Sequence, residues 1–347
     1  MIRNHFFVSD VHIGPGFPKQ QSKYTHNWEW LSDQELVNFN NFLTHLKDNE
    51  FQSGDRLILI GDIFDNWVWP HDLPPVSMTE LLKSDRNKPV INTLNLISEN
   101  FDVFYVPGNH DQMASRAVIK NFFPKFKFCP QRYTTHRLIA EHGHRYALFN
   151  APAFFSSNIN GLPLGYFISR IEATRYGLTA EDQRNYRTYV DDILEIITGQ
   201  ARLPEAVFEA VMEEAGFGDD EVFLIDHRPS GVTAKEIKET YKRIYDDWPA
   251  NVVSPQRAVL AELDYLGPIA DKLCKNGENK VCIFGHSHKA EIDKDSIFCA
   301  DRVYANTGYW CDEKCTFVRV SEENTKYTVA LMKWNGTQTA VLKEETV

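Results

Sequence analysis

Several features are scarce in this sequence of 347 residues. It has six cysteines, all from Cys129 onward and without a repeating spacing, which is typical of reduced thiols in a cytosolic protein rather than of a disulfide scaffold. No run of about 18 apolar residues occurs, and the first apolar run ends at Asp10 and His12. We therefore expect no membrane span and no secretory signal, and a cytoplasmic location.

Positively charged residues are also fewer than negatively charged ones. Lysine and arginine number 37 against 48 acidic residues, which gives a net charge of -11. Such a surface repels phosphate backbones and argues against a general DNA- or RNA-coating protein, although bound metal ions can reverse the sign locally. Hydrophobic residues make up 43% and charged residues 24%, a balance typical of a folded globular protein.

Short runs rich in β-branched and aromatic residues alternate with helical patterns. The runs predict strands at 2–8, 56–60, 102–106, 137–141 and 280–284, with helices over 34–49 and 89–99. This alternation indicates an α/β fold whose strands are buried on both faces. Near the C-terminus, strands predicted at 301–306, 315–320 and 327–334 have no helices between them, so we expect antiparallel pairing there.

Residues 151–254 depart from this rhythm. Helical patterns occur near 165–176, 180–198, 204–215 and 233–247, Thr233 and Glu236 form a capping-box pattern, and Ser254-Pro255 is typical of a helix start. The segment has 10 basic and 18 acidic residues. We predict a mostly helical insertion or cap at 151–254, between a first core segment at 1–150 and a second at 255–347.

Groups that bind metal ions follow five of the predicted strands. The blocks are Asp10 and His12, Asp62 and Asp65, Asn109 with His110 and Asp111, His142 and His144, and His286 and His288. Sites in open α/β sheets form at the carboxyl ends of strands, so we expect these side chains to share one rim. A single block of this kind is more often structural, but five blocks together predict a metal centre. Mixed Asp, Asn and His ligands suit Mn, Fe or Zn better than Ca or Mg.

In their order along the chain, the motifs DVH, GDIFD, GNHD, HGH and GHSH resemble those of the calcineurin-like metallophosphoesterases. The resemblance covers residues 1–150 and about 255–310. It implies a central β-sandwich flanked by helices, with the insertion outside the shared part, and two divalent transition-metal ions. We take Mn as the first choice of metal, with Fe or Zn as alternatives.

The resemblance also implies roles for individual residues. The ligands of one ion would be Asp10, His12, Asp62 and His288, and those of the second would be Asp62, Asn109, His142 and His286. Asp62 would then bridge the ions, and a hydroxide held between them would attack phosphorus. His110 would be the general acid, oriented by Asp65, and Asn109 would also contact the phosphate.

Within the family, VSDVHIG, GDIFDNW and NTGYW look like the UDP-2,3-diacylglucosamine pyrophosphatase branch. Asn66 and Asp111 differ from the residues of protein phosphatases at these positions, which have Arg and Glu. The chain departs from the pyrophosphatase branch because that branch has Arg where His110 stands and lacks this insertion. We expect hydrolysis of a phosphodiester or pyrophosphate in a nucleotide or UDP-sugar-lipid type of substrate.

Two other functions stay open. A nuclease acting on single-stranded ends would need a basic groove, which the acidic insertion argues against. A catalytically silent binding protein on the same fold would be expected to lack a ligand, yet every ligand position is filled.

For the insertion, one interpretation is a lid whose Arg170 or Arg175 reaches a substrate phosphate, and the other is a helix packed on the core. The expected partner is a phosphate-containing small molecule or a lipid-linked substrate. We expect no stable complex with nucleic acid, and peripheral contact with a membrane stays open.

Overall fold

The computed structural model describes residues 2–16, 24, 29–152, 161–178, 203–226, 228–244, 248, 254–262, 266–294 and 301–347. The strands, β1 to β14 in chain order, are Arg3–Val8, Arg56–Ile60, Asp102–Val106, Lys127–Phe128, Tyr133–Thr135, Leu138–Ala140, Val222–Ile225, Arg228–Thr233, Val281–Phe284, Glu291–Asp293, Val303–Asn306, Thr316–Glu323, Lys326–Trp334 and Thr339–Thr346. The α-helices, α1 to α9, are Asp33–His45, Met78–Lys83, Lys88–Asn100, Arg116–Phe122, Leu164–Leu178, Leu203–Glu214, Ala234–Ile244, Pro255–Glu262 and Gly267–Gly277. A π-helical turn, Leu46–Glu50, extends α1, and His144–Tyr146 forms a 3-10 turn. Within these ranges, no helix has the length and hydropathy that crossing a membrane requires.

Two mixed sheets organise the described part of the chain. The larger has the order β14-β13-β12-β1-β2-β3-β4, in which β1 to β4 run parallel and β12 to β14 pair antiparallel. The second has the order β10-β11-β9-β6-β5. The predicted strands are present, and β12 pairs antiparallel with β13 as expected. The expected antiparallel pairing with these strands is wrong for the strand predicted at 301–306, because β11 lies in the second sheet and runs parallel to β9. Strands β4, β5, β10 and β14 are additional strands that the sequence did not indicate.

Alternation along the central strands explains why the two sheets pack face to face. Phe6 and Val8 of β1 join the core between the large sheet and the helices, whereas Phe7 joins the core between the two sheets. The same alternation separates Leu59 from Ile60 in β2. Because side chains alternate between the faces of a strand, the apolar stretches of β1 and β2 supply both cores. The predicted β-sandwich flanked by helices is confirmed.

The outer face of the second sheet packs on the insertion. Phe284 and Tyr304 of that sheet share a core with Phe167 and Phe208 of α5 and α6. The predicted helices at 165–176 and 204–215 are present, and the one at 233–247 is present as far as Ile244, where that range of described residues ends. The helix predicted at 180–198 lies outside the described residues. The antiparallel hairpin β7–β8 was not predicted, because Pro229 and Gly231 interrupt its second strand. The division of the chain into three segments at 150 and 254 stays a prediction.

Candidate metal centre and catalytic site

The side chains that follow β1, β2, β3, β6 and β9 converge at one end of the sandwich. Three clusters have ligand atoms within 4.8 Å of one another, namely Asp10 with His12 and His288, Asp10 with Asp62 and His142, and His12 with Asp65 and His110. All of these residues are fully or largely buried. Loops far apart in the sequence thus deliver the side chains to one place, as the strand ends predict.

The first cluster centres on a single carboxylate oxygen. Asp10 Oδ1 lies 3.1 Å from His288 Nε2 and 3.9 Å from His12 Nε2, and those two nitrogens are 3.1 Å apart. Asp10 Oδ2 faces the other way and accepts the backbone N–H of His286 at 3.0 Å. One oxygen is therefore held by the protein, while the other points among imidazole nitrogens, which is how a carboxylate is presented to a metal ion.

The second cluster centres on His142. Its Nδ1 donates to the carbonyl of Ile60 at 2.9 Å, so Nε2 is the nitrogen left for a ligand. That Nε2 lies 3.0 Å from Asp62 Oδ2 and 3.0 Å from Asn109 Oδ1. His286 has a buried Nε2 atom that makes no hydrogen bond. An imidazole nitrogen left in this way fits a metal ligand better than a structural residue.

The carboxylate common to both clusters is Asp10, since its Oδ1 is also 3.9 Å from His142 Nε2. Asp62 belongs to the second cluster, and its Oδ1 accepts the backbone N–H of His110 at 2.8 Å. The bridging role of Asp62 therefore stays a prediction, and Asp10 is the alternative that the geometry adds.

Asp65 holds two imidazoles with one oxygen. Its Oδ2 lies 2.8 Å from His110 Nδ1 and 3.0 Å from His12 Nδ1, while Oδ1 accepts the backbone N–H of Trp67 at 2.8 Å. The Trp67 ring stacks on His110 with centroids 4.2 Å apart. The contact with His110 agrees with the predicted orienting role, whereas the contacts with His12 and Trp67 were not predicted. Fixing Nδ1 leaves His110 Nε2 as the nitrogen that can give a proton to a leaving group.

Burial and the neighbouring carboxylates shift the pKa values of the clustered histidines in opposite directions. Burial lowers the pKa of His288 to about 4 despite the neighbouring Asp10. Burial also acts against protonation of His142, but Asp62 and Asp10 raise its pKa to about 9. In the same way, burial is outweighed by Asp65 and Asp62, which raise the pKa of His110. The buried carboxylates thus favour positive charge nearby, and a bound divalent cation can supply it.

The backbone conformation is unusual at most of the predicted ligand positions. Five of the seven predicted ligands have positive φ angles in the left-handed region, namely Asp10 at 52°, His12 at 53°, Asp62 at 52°, His286 at 71° and His288 at 56°. Non-glycine residues rarely adopt this region, although Asp and His tolerate it better than most. Strain concentrated in one cluster of polar residues is a mark of a functional site.

Two glycines are required for the loops to approach so closely. A Cβ on Gly61, whose φ is 91°, would lie 2.5 Å from the His142 ring. A Cβ on Gly108 would lie 2.1 Å from Asp62 Oδ1. The glycines that precede Asp62 and Asn109 therefore leave the space that the ligands occupy.

The structure gives Arg170 a different role from the predicted phosphate contact. Helix α5 is buried on all faces from Tyr166 to Thr174, and Arg170 is fully buried within it. The five N–H donors of its guanidinium have five acceptors, which are the Tyr166 hydroxyl and the carbonyls of Trp69, Pro70, Leu73 and Leu224. Arg170 therefore ties the loop after β2 to the insertion and has no donor left for a substrate.

Arg175, at the end of the same helix, lies 3.2 Å from Glu214 of α6 through Nη1. That contact is between partly exposed side chains, and a contact of Arg175 with substrate stays a prediction.

We expect Arg170→Ala to lower the free energy of unfolding by at least about 3 kcal/mol, because several buried carbonyls lose their donor at about 1–3 kcal/mol each. Arg175→Ala on the same helix is the matched control, with an expected change below about 1 kcal/mol for a partly exposed pair. Urea unfolding of the two variants and the parent measures the difference. Equal stabilities for all three proteins would contradict the structural role of Arg170.

Asn150 and Glu262 are further polar residues at the site that the sequence did not indicate. Asn109 Nδ2 donates to Asn150 Oδ1 at 3.1 Å, and Glu262 Oε2 lies 3.7 Å from His286 Nε2. Neither belongs to a motif, and only the fold brings them to the rim.

The chain was compared with protein families, with curated proteins and with solved structures. The profile of the calcineurin-like phosphoesterase family matches residues 6–290. Among curated proteins no match is found. The solved structures that are similar include a dimetal phosphatase from Danio rerio, with 11% identity, a TM-score of 0.40, and 99% of this chain and 98% of that chain covered.

Two other solved structures are similar over different shares of the chain. Vacuolar Protein Sorting 29 from Cryptosporidium parvum has 9% identity and a TM-score of 0.36, with 100% of this chain and 98% of that chain covered. The nuclease MPE from Pseudomonas putida has 15% identity and a TM-score of 0.25, with 40% of this chain and 54% of that chain covered. The family profile, which covers most of the chain and all five ligand blocks, shows that this protein belongs to the calcineurin-like phosphoesterase family.

Proposed function

We propose that the protein is a metal-dependent phosphoesterase that hydrolyses a phosphodiester or pyrophosphate bond in a nucleotide or UDP-sugar-lipid type of substrate. The observation that carries the proposal is the convergence of three imidazole nitrogens, from His12, His142 and His288, on Asp10 Oδ1. All seven ligand positions are filled, so the catalytically silent alternative has no missing residue to support it.

In the proposed reaction, some residues would bind the metal ions and others would transfer a proton. Asp10, His12, Asp62, Asn109, His142, His286 and His288 would hold two divalent ions, with Mn as the first candidate. When bound, such ions activate water and withdraw charge from phosphoryl oxygens. Asp65 holds His110 by Nδ1 at 2.8 Å, and His110 protonates the departing oxygen. The indole of Trp67 covers one face of that imidazole and shields it from water.

The NTGYW segment, one of the motifs that resemble the pyrophosphatase branch, contacts the proposed site. In NTGYW, the backbone N–H of Trp310 donates to the carbonyl of Asp10 at 3.0 Å. The Tyr309 ring stacks on His288 with centroids 5.0 Å apart. The segment therefore contacts two predicted ligands of the first ion and helps to position them. A cytoplasmic location and a lipid-linked substrate reached by peripheral membrane contact belong to the same proposal.

A substrate panel on protein reconstituted with Mn²⁺ tests the proposal. It compares aryl phosphate monoesters, aryl phosphodiesters, nucleotide pyrophosphates such as UDP-sugars, and single-stranded DNA. We expect the highest kcat/KM for a diester or pyrophosphate. Preference for monoesters would contradict the substrate class, preference for single-stranded DNA would favour the nuclease, and no turnover with any substrate would favour the silent binding protein.

A further inference from the structure

Two polar side chains outside the motifs meet at the second half of the metal centre. Asn150 follows the 3-10 turn after β6, and Glu262 is the last residue of α8. Asn109 Nδ2 donates to Asn150 Oδ1 at 3.1 Å, and Asn150 Nδ2 donates to Glu262 Oε2 at 2.6 Å. The insertion predicted at 151–254 therefore lies between these two residues in the sequence.

The hydrogen bonds among these side chains all run in one direction. The Glu262 carboxylate can only accept, and it takes the backbone N–H groups of Phe149 and Asn150 on Oε1 and the Asn150 amide on Oε2. Asn150 must therefore turn its Oδ1 toward Asn109. Asn109 in turn must offer its Nδ2, which leaves its Oδ1 facing His142 Nε2 at 3.0 Å.

This direction matters because an amide has two unlike ends. A cation binds the carbonyl oxygen, and rotation of the amide by 180° would present two N–H donors instead. Nothing in the shape of Asn109 itself selects one end. The Glu262 carboxylate, which can only accept hydrogen bonds, fixes the orientation of Asn150, and Asn150 in turn fixes that of Asn109.

Two further features tie Glu262 and Asn150 to the metal centre. Glu262 Oε2 also faces His286 Nε2 at 3.7 Å, so the same carboxylate lies beside two predicted ligands of the second ion, one directly and one through Asn150. Gly165, in the first turn of α5, leaves room for the amide, because a Cβ there would lie 2.4 Å from Asn150 Oδ1.

We propose that Glu262 and Asn150 are positioning residues that fix the amide of Asn109 and thereby the second-ion half of the centre. The inference rests on the proposed two-ion site. It adds that the two ends of the insertion, joined by this hydrogen-bonded pair, determine how well the second ion is held.

The test is an exchange of the carboxylate and the amide between the two positions. Glu262→Gln keeps an oxygen for the two backbone N–H groups but presents an NH₂ to Asn150, which reverses both asparagine amides. Asn150→Asp keeps an acceptor for Asn109 but replaces the hydrogen bond to Glu262 by repulsion between two carboxylates, which displaces the side chain at 150 from Asn109. We expect each single change to weaken the second Mn²⁺ by about 10–100-fold, the usual effect of residues that orient ligands.

In the double variant, with Asn150→Asp and Glu262→Gln, the amide at 262 donates to the carboxylate at 150. That carboxylate still accepts from Asn109 Nδ2, so the orientation of the Asn109 amide is the one found in the parent. We expect the affinity of the double variant for the second Mn²⁺ to return to within about threefold of the parent, a rescue that a merely structural role would not produce. Calorimetric titration of the metal-free proteins with Mn²⁺ alone, with elemental analysis of the products, measures both binding steps. Glu209→Gln, which alters a carboxylate of the insertion that lies 3.5 Å from Lys238, is the control and should leave both steps unchanged.

Unchanged second-ion affinity in Glu262→Gln, or a double variant as weak as the single ones, would overturn the inference while leaving the two-ion site intact. A parent protein that binds only one ion would overturn the two-ion site and the inference together. If Glu262→Gln does not fold, Gly165→Ala tests the same point by displacing Asn150, and retention of both ions at parental affinity would then overturn the inference.

Discussion

Asp62→Asn is expected to lose tight binding of both metal ions and to reduce kcat/KM by at least about 10³-fold. The amide keeps an Oδ1 acceptor for the backbone N–H of His110, so the loop conformation is preserved while the charge is removed. Loss of metal-derived charge stabilisation costs several kcal/mol, and each 1.36 kcal/mol corresponds to about tenfold in rate. Elemental analysis and kinetics on Mn-loaded protein are the measurements.

Asp10→Asn is the matched comparison, because Asp10 Oδ1 is the oxygen that both clusters share. If Asp62 bridges the ions, Asp10→Asn should weaken the first ion and leave the second. The reverse result, with both ions lost in Asp10→Asn and only one in Asp62→Asn, would make Asp10 the bridging carboxylate. An Asp62→Asn protein with two ions and full activity would show that Asp62 is not a ligand.

His110→Ala should slow substrates with poor leaving groups by about 10²–10⁴-fold, the usual contribution of a general acid, and nitrophenyl esters far less. The reason is that a nitrophenolate departs without a proton, whereas an alkoxide needs one. Metal content should stay at the parental level, since His110 is not a predicted ligand. The measurement is kcat/KM against the pKa of the leaving group, and equal losses across the series would contradict the acid role.

Asp65→Asn separates orientation from proton transfer in the same series. It should give a milder version of the His110→Ala pattern, because the imidazole remains but its Nδ1 loses a charged partner. The structure adds a requirement, since Asp65 Oδ2 also lies 3.0 Å from His12 Nδ1. Metal content must therefore be measured together with rate, and the comparison holds at metal saturation.

The sequence predicted the parts of this protein in which local pattern and chemistry coincide. Apolar runs marked the central strands, and the polar residues directly after them marked the rim, because parallel strands end at one edge. Strands β4, β5 and β10 were missed because they have only two or three residues each, and the hairpin β7–β8 and the strand β14 were missed for other local reasons. Gly231 and Pro229 weaken the strand pattern in the hairpin, and β14 is largely exposed and lacks a buried face.

The sequence pattern could not predict the residues that position other side chains rather than bind a ligand themselves. Asn150 and Glu262 are ordinary polar residues, 112 positions apart, and their contact exists only in the folded chain. A lid whose Arg170 reaches a phosphate was one of two interpretations of α5, and the structure supports the other, a packed helix, because α5 is buried from Tyr166 to Thr174. A buried arginine among apolar neighbours gives no local signal until its carbonyl partners are known.

The left-handed backbone at five ligand positions has an evolutionary consequence. Each such residue costs about 1–3 kcal/mol of strain, and glycine would remove it. A population selected for thermal stability alone should therefore accumulate glycine at Asp10, His12, Asp62, His286 and His288, losing a ligand with each gain. Asn109 and His142 are not among the residues with positive φ and should show no such enrichment. The positions at which glycine accumulates in a library selected for stability but not for activity would thus show which predicted ligands lower the stability of the folded chain.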